Sequence, residues 1–123
     1  MKVRSYKDLS VWQKAMVLGE ECYRVKDAFP RSEEFGLKAQ MHRAAVSIPS
    51  NVADGDVRQS TKEYCRFLAI APGSTAELET QIELARRLGL GSEAESDELT
   101  QRCQEVGRML NGLRLSIVRR RIA

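Results

Sequence analysis

The spacing of apolar residues is the feature of this sequence that most restricts its fold. In four separate segments, apolar residues recur at alternating steps of four and three, which places them on one face of an α-helix. The stripe of the first segment consists of Val11, Ala15, Leu18, Cys22, Val25 and Phe29. The second stripe consists of Leu37, Met41, Ala44, Ile48 and Val52, and the fourth of Leu99, Cys103, Val106, Leu110, Leu113 and Ile117. No segment alternates with the period of two that predicts a strand, so the pattern predicts an all-α fold.

The third segment is longer and contains Pro72-Gly73 near its middle. Its stripe consists of Tyr64, Phe67, Leu68, Ala71, Thr75, Leu78, Ile82, Ala85 and Leu88. The stripe keeps its phase across the Pro-Gly pair, which predicts one kinked helix; the alternative is that the pair ends one helix and starts another. Pro49 predicts a similar kink in the second helix. If Phe67 lies in the core, its truncation to Ala is expected to cost roughly 3 to 5 kcal/mol.

Capping and stop residues predict helices at about 8–29, 33–55, 60–88 and 93–121. Asp8 is a candidate N-cap, and Ser60 with Glu63 forms a predicted capping box, as do Ser92 and Glu95. Four long amphipathic helices with short connections predict one domain over 1–123, an antiparallel up-down-up-down four-helix bundle.

The positions of the three cysteines and the lengths of the apolar runs predict where in the cell the protein is found. Cys22, Cys65 and Cys103 each lie among apolar helical positions, which favours buried free thiols in a reducing cytoplasm over a disulfide, a metal site or a nucleophile. No apolar run approaches the length of a membrane span, so we expect a cytoplasmic protein without a membrane partner.

Candidate catalytic groups are scarce. His42 is the only histidine, so a two-histidine metal site cannot form within one chain, and a surface or interface position is the simpler interpretation. Glu77 and Glu79 are two residues apart on a helix and point away from each other. The sequence contains no phosphate-binding loop or nucleophile elbow. We therefore expect no enzymatic activity, no metal and no cofactor.

Positive charge is concentrated at the chain ends. Lysine and arginine number 20 against 17 acidic residues, a formal net charge of +3, and no acidic residue follows Glu105. Most such charged side chains simply lie on solvent-exposed helix faces. The planar guanidinium of arginine nevertheless binds phosphate with a better-matched geometry than the ammonium group of lysine. The candidate nucleic-acid-binding residues are Arg43, Arg58, Arg114, Arg119, Arg120 and Arg121.

Four polar residues lie beside the predicted stripes. Ser47 and Asn51 are one turn apart on the second helix, and Ser74 and Glu77 are one turn apart on the third. If these faces meet, the side chains can satisfy one another and the Ala45 carbonyl that Pro49 leaves unpaired, which would fix the helix register. The alternative is a polar pocket for a ligand.

A long, ordered series of motifs links the chain to a known family. It includes Tyr6-Lys7-Asp8-Leu9, Phe35-Gly36-Leu37, Arg43 to Ala53, Gly73-Ser74, Glu77-Leu78-Glu79 and Leu88-Gly89. With these motifs the sequence resembles the four-helix-bundle proteins encoded in intervening sequences of bacterial large-subunit ribosomal RNA genes. It departs from the family pattern at His42, Asp54 and Pro72.

The resemblance implies a mode of assembly and a role. The family is similar to the accessory variability proteins of diversity-generating retroelements, which form basic homopentamers and bind nucleic acid beside a reverse transcriptase. By this analogy we expect a cyclic homo-oligomer, favouring a pentamer, that binds RNA or DNA and has a possible protein partner such as a reverse transcriptase. Tyr6, Phe35 and Ile122 are apolar residues that one bundle core does not require. The alternative is a structural or protein–protein scaffold subunit with no nucleic-acid role.

Overall fold

The computed structural model describes residues 5–25, 29–33, 36–58 and 60–122, without the side chains of Glu33 and residues 120–122. Four α-helices account for most of this part of the chain. They are α1 (Ser10–Arg24), α2 (Leu37–Asp56), α3 (Thr61–Arg87) and α4 (Glu93–Ile122), with short 3-10 turns at Tyr6–Asp8 and Arg31–Glu33. These ranges contain no strand, so the all-α prediction is confirmed.

The start of α1 differs from the prediction. The helix begins at Ser10 after Leu9, which makes no side-chain cap, so the assignment of Asp8 as its N-cap is wrong. A local capping box uses Asp8 instead: its carboxylate accepts from the Ser5 N–H at 3.2 Å, while the Ser5 hydroxyl accepts from the Lys7 N–H at 2.9 Å. These bonds close the 3-10 turn before α1 and leave Asp8 unable to cap the helix itself.

The connection between α1 and α2 is longer than predicted. α1 ends at Arg24, and α2 begins at Leu37 and not at Glu33. Gly36 precedes α2 with φ −99° and ψ −115°, outside the helical region, so the turn at Arg31–Glu33 cannot continue into the helix. Phe35 and residues 26–28 lie outside the described residues, as does the side chain of Ile122.

Both internal prolines lie within unbroken helices. Pro49 is inside α2 and Pro72 is inside α3, which confirms one helix across Pro72-Gly73. A proline in a helix interior costs about 3 kcal/mol. α3 buries apolar residues on both sides of its proline, Leu68 before it and Leu78 after it, and this burial offsets the cost.

The core draws residues from all four helices, and the predicted stripes describe it well. Its largest fully buried side chains include Leu18, Ile48, Leu68, Leu78, Ile82 and Leu110. Phe29, Leu37, Tyr64 and Leu113 are partly buried against this cluster. Phe67 lies outside it and Leu88 is exposed, so the prediction that these two belong to the inner face is wrong.

Two of the three free cysteines lie in the core. Cys22 and Cys103 are buried, and Cys65 is half-buried. Burial raises the pKa of the Cys22 thiol to about 12, with a smaller contribution from Glu21, and burial likewise raises the pKa of Cys103 to about 12. Both thiols are therefore protonated near neutral pH. The prediction of buried thiols holds for two residues, while Cys65 is only partly covered.

We expect this difference to appear in thiol labelling. A bulky disulfide reagent at about pH 8 reacts with thiolates, so it should modify Cys65 first and reach Cys22 and Cys103 only on unfolding. The time course, followed by mass spectrometry, should show one accessible thiol per chain, and a Cys65→Ser variant should show none. Rapid modification of Cys22 or Cys103 in the folded protein would contradict this packing.

Candidate nucleic-acid interface

Segments from four parts of the chain surround one small cleft. Its lining residues are Ser5, Asp8, Leu9, Asp56, Tyr64, Leu113 and Ile117, and its volume is about 250 Å³. The Tyr64 hydroxyl donates to Asp56 Oδ1 at 2.9 Å and ties the start of α3 to the end of α2. The turn before α1, the end of α2, the start of α3 and the C-terminal part of α4 therefore lie close together. We call this region the cleft end.

Arg58 lies at the cleft end, two residues after Asp56, and its guanidinium is held in place. Its Nη2 donates to Asp54 Oδ1 at 3.3 Å, and its Cζ lies 4.7 Å from the centre of the Phe67 ring. Arg66 approaches the same ring at 5.9 Å. Cation–π contacts of this kind contribute roughly 0.5 to 1 kcal/mol at exposed sites. Phe67 is thus half-buried outside the core cluster, with two surface arginines beside its ring.

The C-terminal half of α4 carries basic side chains without carboxylate partners. Arg108, Arg114 and Arg119 are exposed, and in the part of the chain that the structure describes none of them forms an ion pair. Arg114 donates only to the Asn111 amide oxygen, at 3.4 Å. The last turn of a helix carries the negative end of its dipole, which favours cations there. These arginines retain their full positive charge for an external anion.

Several other arginines, Arg58 at the cleft end among them, pair with a carboxylate of the same chain. Arg86 and Arg87 both bond to Glu83, and Arg102 pairs with Glu98. The hydrogen bonds from Arg86 and Arg87 lower the pKa of Glu83, which keeps that carboxylate charged. Each of these pairs joins residues three or four apart on one helix, whereas no acidic residue follows Glu105 on α4.

The structure brings together only some of the predicted binding residues. Arg58, Arg114 and Arg119 are near the cleft end, and α4 continues through positions 120 and 121, although the side chains of Arg120 and Arg121 lie outside the described residues. Arg43 is exposed on α2 about 22 Å from Arg58 along the helix axis, so it does not join this group.

Lys62 is a residue at the cleft end that the sequence did not single out. It is exposed in the first turn of α3, and no carboxylate among the described residues pairs with it. Lys62 and the C-terminal part of α4 are more than fifty residues apart in sequence. Only the packing of the start of α3 beside the end of α4 reveals that they are close together.

Three of the four polar candidates form one network between α2 and α3. The Ser47 and Ser74 hydroxyls are hydrogen-bonded at 2.7 Å. The Asn51 amide donates to the Ser47 carbonyl at 2.8 Å and to its hydroxyl at 3.0 Å, and not to the Ala45 carbonyl. Glu77 is exposed and, within the described ranges, bonds to none of them. Because the hydroxyls and the amide bond to one another, the network supports helix register more than ligand binding.

The described residues contain no group of three or more His, Cys, Asp or Glu side chains placed to hold a metal ion. The His42 ring stacks on Tyr23 with centroids 4.0 Å apart and an interplanar angle of 9°. Among the helices described, none is both long enough and apolar enough to cross a bilayer.

The described residues form an all-α fold of four helices, with arginines that lack a carboxylate partner among those residues on the C-terminal half of α4. The chain belongs to the 23S rRNA-intervening sequence protein family, whose model matches residues 7–112. The resemblance stated from the sequence motifs is thereby confirmed.

A solved structure shows the same fold. It is a protein of unknown function from the S23 ribosomal protein family of Bacteroides thetaiotaomicron, with a TM-score of 0.78 and 21% sequence identity. The match covers 85% of this chain and 97% of that chain. No curated protein matches the sequence.

Proposed function

We propose that this protein is a non-enzymatic, oligomeric module that binds the phosphate backbone of RNA or DNA through the cleft end. The observation that carries the proposal is the group of exposed arginines on α4 beyond Glu105, which have no carboxylate partner in the described part of the chain. Arg114 and Arg119 belong to this group, Arg58 and Lys62 lie beside it, and Arg120 and Arg121 follow in sequence.

The helix arrangement in this proposal is an antiparallel, up-down-up-down bundle. Lys14 of α1 pairs with Glu105 of α4 at 3.7 Å, whereas the earlier residue Leu9 lies in the same cleft as the later residue Leu113. Residue numbers thus fall along α4 as they rise along α1. This arrangement accounts for the accumulation of the α4 arginines at one end of the molecule.

Oligomerisation would raise the affinity for nucleic acid. A single chain at +3 attracts phosphate weakly, but a cyclic pentamer would carry about +15 and present five copies of the cleft end. Contacts to the backbone carry no sequence information, so we expect similar affinity for different sequences.

The test is an anisotropy titration of labelled structured RNA and duplex DNA at about 50 mM salt, repeated at higher salt. Because each phosphate contact contributes about 0.9 to the slope of log affinity against log salt, replacing Arg119, Arg120 and Arg121 by Gln should lower the slope by up to about 3 per contacting chain. Affinity should fall for every nucleic acid tested.

A matched variant distinguishes the effect of losing this site from the effect of lowering the net charge. Replacing Arg24, Arg86 and Arg87 by Gln removes the same total charge, but these arginines pair with Glu20, Glu21 and Glu83 within the chain. This variant should bind almost as the unmodified protein does. Equal losses in the two variants, or no binding by a folded wild-type protein at about 50 mM salt, would refute the proposal.

A scaffold subunit without a nucleic-acid role is the second candidate. It is favoured by an apolar groove between α1 and α2 that includes Trp12, Met16 and Val46. A protein that is oligomeric but does not bind nucleic acid at low salt would support this role.

A further inference from the structure

The guanidinium of Arg58 is held in one position by two neighbouring groups. Its Nη2 donates to Asp54 Oδ1 at 3.3 Å, and its Cζ lies over the Phe67 ring, 4.7 Å from the ring centre. Arg58 follows the last turn of α2 and Phe67 lies near the start of α3, so the contact joins the two helices at their junction. The Arg58 side chain nevertheless remains 45% exposed. The ring therefore supports one side of the planar group, while part of its surface stays open to solvent.

This arginine is less suited than those of α4 to binding phosphate through its charge. Asp54 offsets the positive charge of Arg58, whereas Arg114 and Arg119 form no ion pair in the part of the chain that the structure describes. A guanidinium that is paired through its edge keeps its flat face, and that face stacks on nucleobases as well as on aromatic side chains. The geometry of Arg58 thus favours a base over a phosphate.

Exposed apolar side chains border the stacked pair of Arg58 and Phe67. Val57 directly precedes Arg58 and is 62% exposed, and Ile70 is 45% exposed, three residues after Phe67 on the same face of α3. Apolar side chains do not bind phosphate oxygens, but they do pack against the rings of a base. We call the group of Arg58, Phe67, Val57 and Ile70 the stacking surface.

The stacking surface and the α4 arginines belong to segments that meet at one end of the molecule. Arg58 comes two residues after Asp56, which lines the cleft together with Leu113 and Ile117 of α4. Arg114 follows Leu113 directly in the sequence. A nucleic acid that contacts the α4 arginines through its phosphates can therefore present a base to Arg58.

We infer that the stacking surface binds an unpaired base, so that the cleft end recognises single-stranded nucleic acid by its bases as well as by its phosphates. Bases inside a duplex are already stacked and paired, so their faces are not available to a side chain. Every base has a flat π face, so this contact adds affinity with little base preference. The inference rests on the proposed function, in which the α4 arginines bind the phosphates, and names the form of nucleic acid that the same site takes.

Three labelled DNA probes of equal length test the inference by anisotropy. They are a single strand without self-complementarity, the same strand annealed to its complement, and a strand in which abasic sites replace the central nucleotides. The normal and abasic single strands carry the same phosphates and differ only in their bases. The unmodified protein should bind the normal strand roughly tenfold more tightly than the abasic strand, because stacking one base contributes about this factor.

Arg58→Lys is the decisive variant, because it retains the positive charge beside Asp54 and removes the planar group. Its affinity for the normal single strand should fall roughly tenfold. Its affinity for the abasic strand and the duplex should change by less than about twofold, and the salt dependence should stay the same, because the charge is kept. Phe67→Leu removes the ring that supports Arg58 and should likewise weaken binding of the normal single strand alone. Circular dichroism checks that both variants fold.

Arg87→Lys is the matched control. Arg87 pairs with Glu83 four residues earlier, as Arg58 pairs with Asp54, but it lies at the other end of α3. The contacts between arginines and aromatic rings in the described residues involve Arg58 and Arg66, and not Arg87. The control variant should bind all three probes as the unmodified protein does.

Several results would overturn the inference. Equal affinity of the unmodified protein for the normal and abasic strands, or an unchanged affinity of Arg58→Lys for the normal strand, would show that no base stacks on Arg58. Equal losses for Arg58→Lys and Arg87→Lys would show the same. In each of these cases the phosphate contacts of α4 remain, and the proposed function stands. A folded wild-type protein that binds none of the probes at about 50 mM salt would overturn both.

Discussion

Replacing Leu68 by Ala should lower the free energy of unfolding by roughly 3 to 5 kcal/mol. Leu68 is fully buried in the core, in the half of α3 that precedes Pro72. Truncation removes its apolar contacts and leaves a cavity that long, packed helices close only partly. It also removes part of the apolar burial that offsets the energetic cost of Pro72 inside the helix. Urea denaturation followed by circular dichroism measures the change.

Phe67→Ala is the informative comparison, because it alters the adjacent residue and removes a larger side chain. Phe67 lies outside the core cluster, with the Arg58 guanidinium 4.7 Å from its ring centre, so the loss should be well below that of Leu68→Ala. This smaller loss replaces the loss of roughly 3 to 5 kcal/mol in the free energy of unfolding that the sequence pattern alone predicts for Phe67→Ala. A larger loss for Phe67→Ala than for Leu68→Ala would show that the inner face of α3 is assigned incorrectly.

Gly55→Ala should destabilise the protein by roughly 1 to 3 kcal/mol, even though Ala favours a helix by about 1 kcal/mol over Gly. A Cβ at position 55 would lie 3.0 Å from Phe67 Cβ, 3.0 Å from Tyr64 Cδ1 and 3.3 Å from the Tyr64 carbonyl oxygen. The Phe67 Cβ and the carbonyl are fixed by the backbone of α3. The methyl group must therefore move α2 away from α3, which also strains the bond between Tyr64 and Asp56.

Gly112→Ala provides the control on α4. Apart from the backbone of its own helix, no described residue lies within 4 Å of the methyl group that Ala would add at Gly112, so helix propensity should dominate and raise stability by up to about 1 kcal/mol. Thermal and urea denaturation of the two variants should shift in opposite directions. A stabilising Gly55→Ala would mean that α2 and α3 do not approach as closely as described.

Helix periodicity is a local property, so the sequence by itself determined the number of helices and most of their buried faces. The stripes through Leu18, Ile48 and Leu110 follow from the 3.6-residue repeat, because a helix must bury its apolar face. Capping residues placed the starts of α3 and α4 well, since Ser60 and Ser92 each accept a bond from the N–H three residues later.

At the start of α1, competition between two local hydrogen-bonding arrangements limited the prediction. An aspartate at position 8 can cap α1 or close the turn before it, and in the structure its carboxylate closes the turn by accepting from the Ser5 N–H. Similarly, Phe67 has the same spacing as a core residue. Only the tertiary structure shows that Phe67 is half-buried beside Gly55 of α2, in contact with the Arg58 guanidinium and outside the core cluster.

The candidate site depended most on tertiary structure. The sequence listed six arginines by type and position, but an arginine is available to phosphate only if no carboxylate neutralises it. Neighbours one turn away decide that question for Arg58, Arg86 and Arg87, which pair with Asp54 and Glu83. Packing decides which segments meet, because it alone brings the end of α2, the start of α3 and the C-terminal part of α4 to one end of the molecule. Likewise, Trp12 and Met16 widen the apolar stripe of α1 in the sequence, and only the position of α2 beside them makes a groove. Distances between residues far apart in the chain arise from helix packing, which no local pattern encodes.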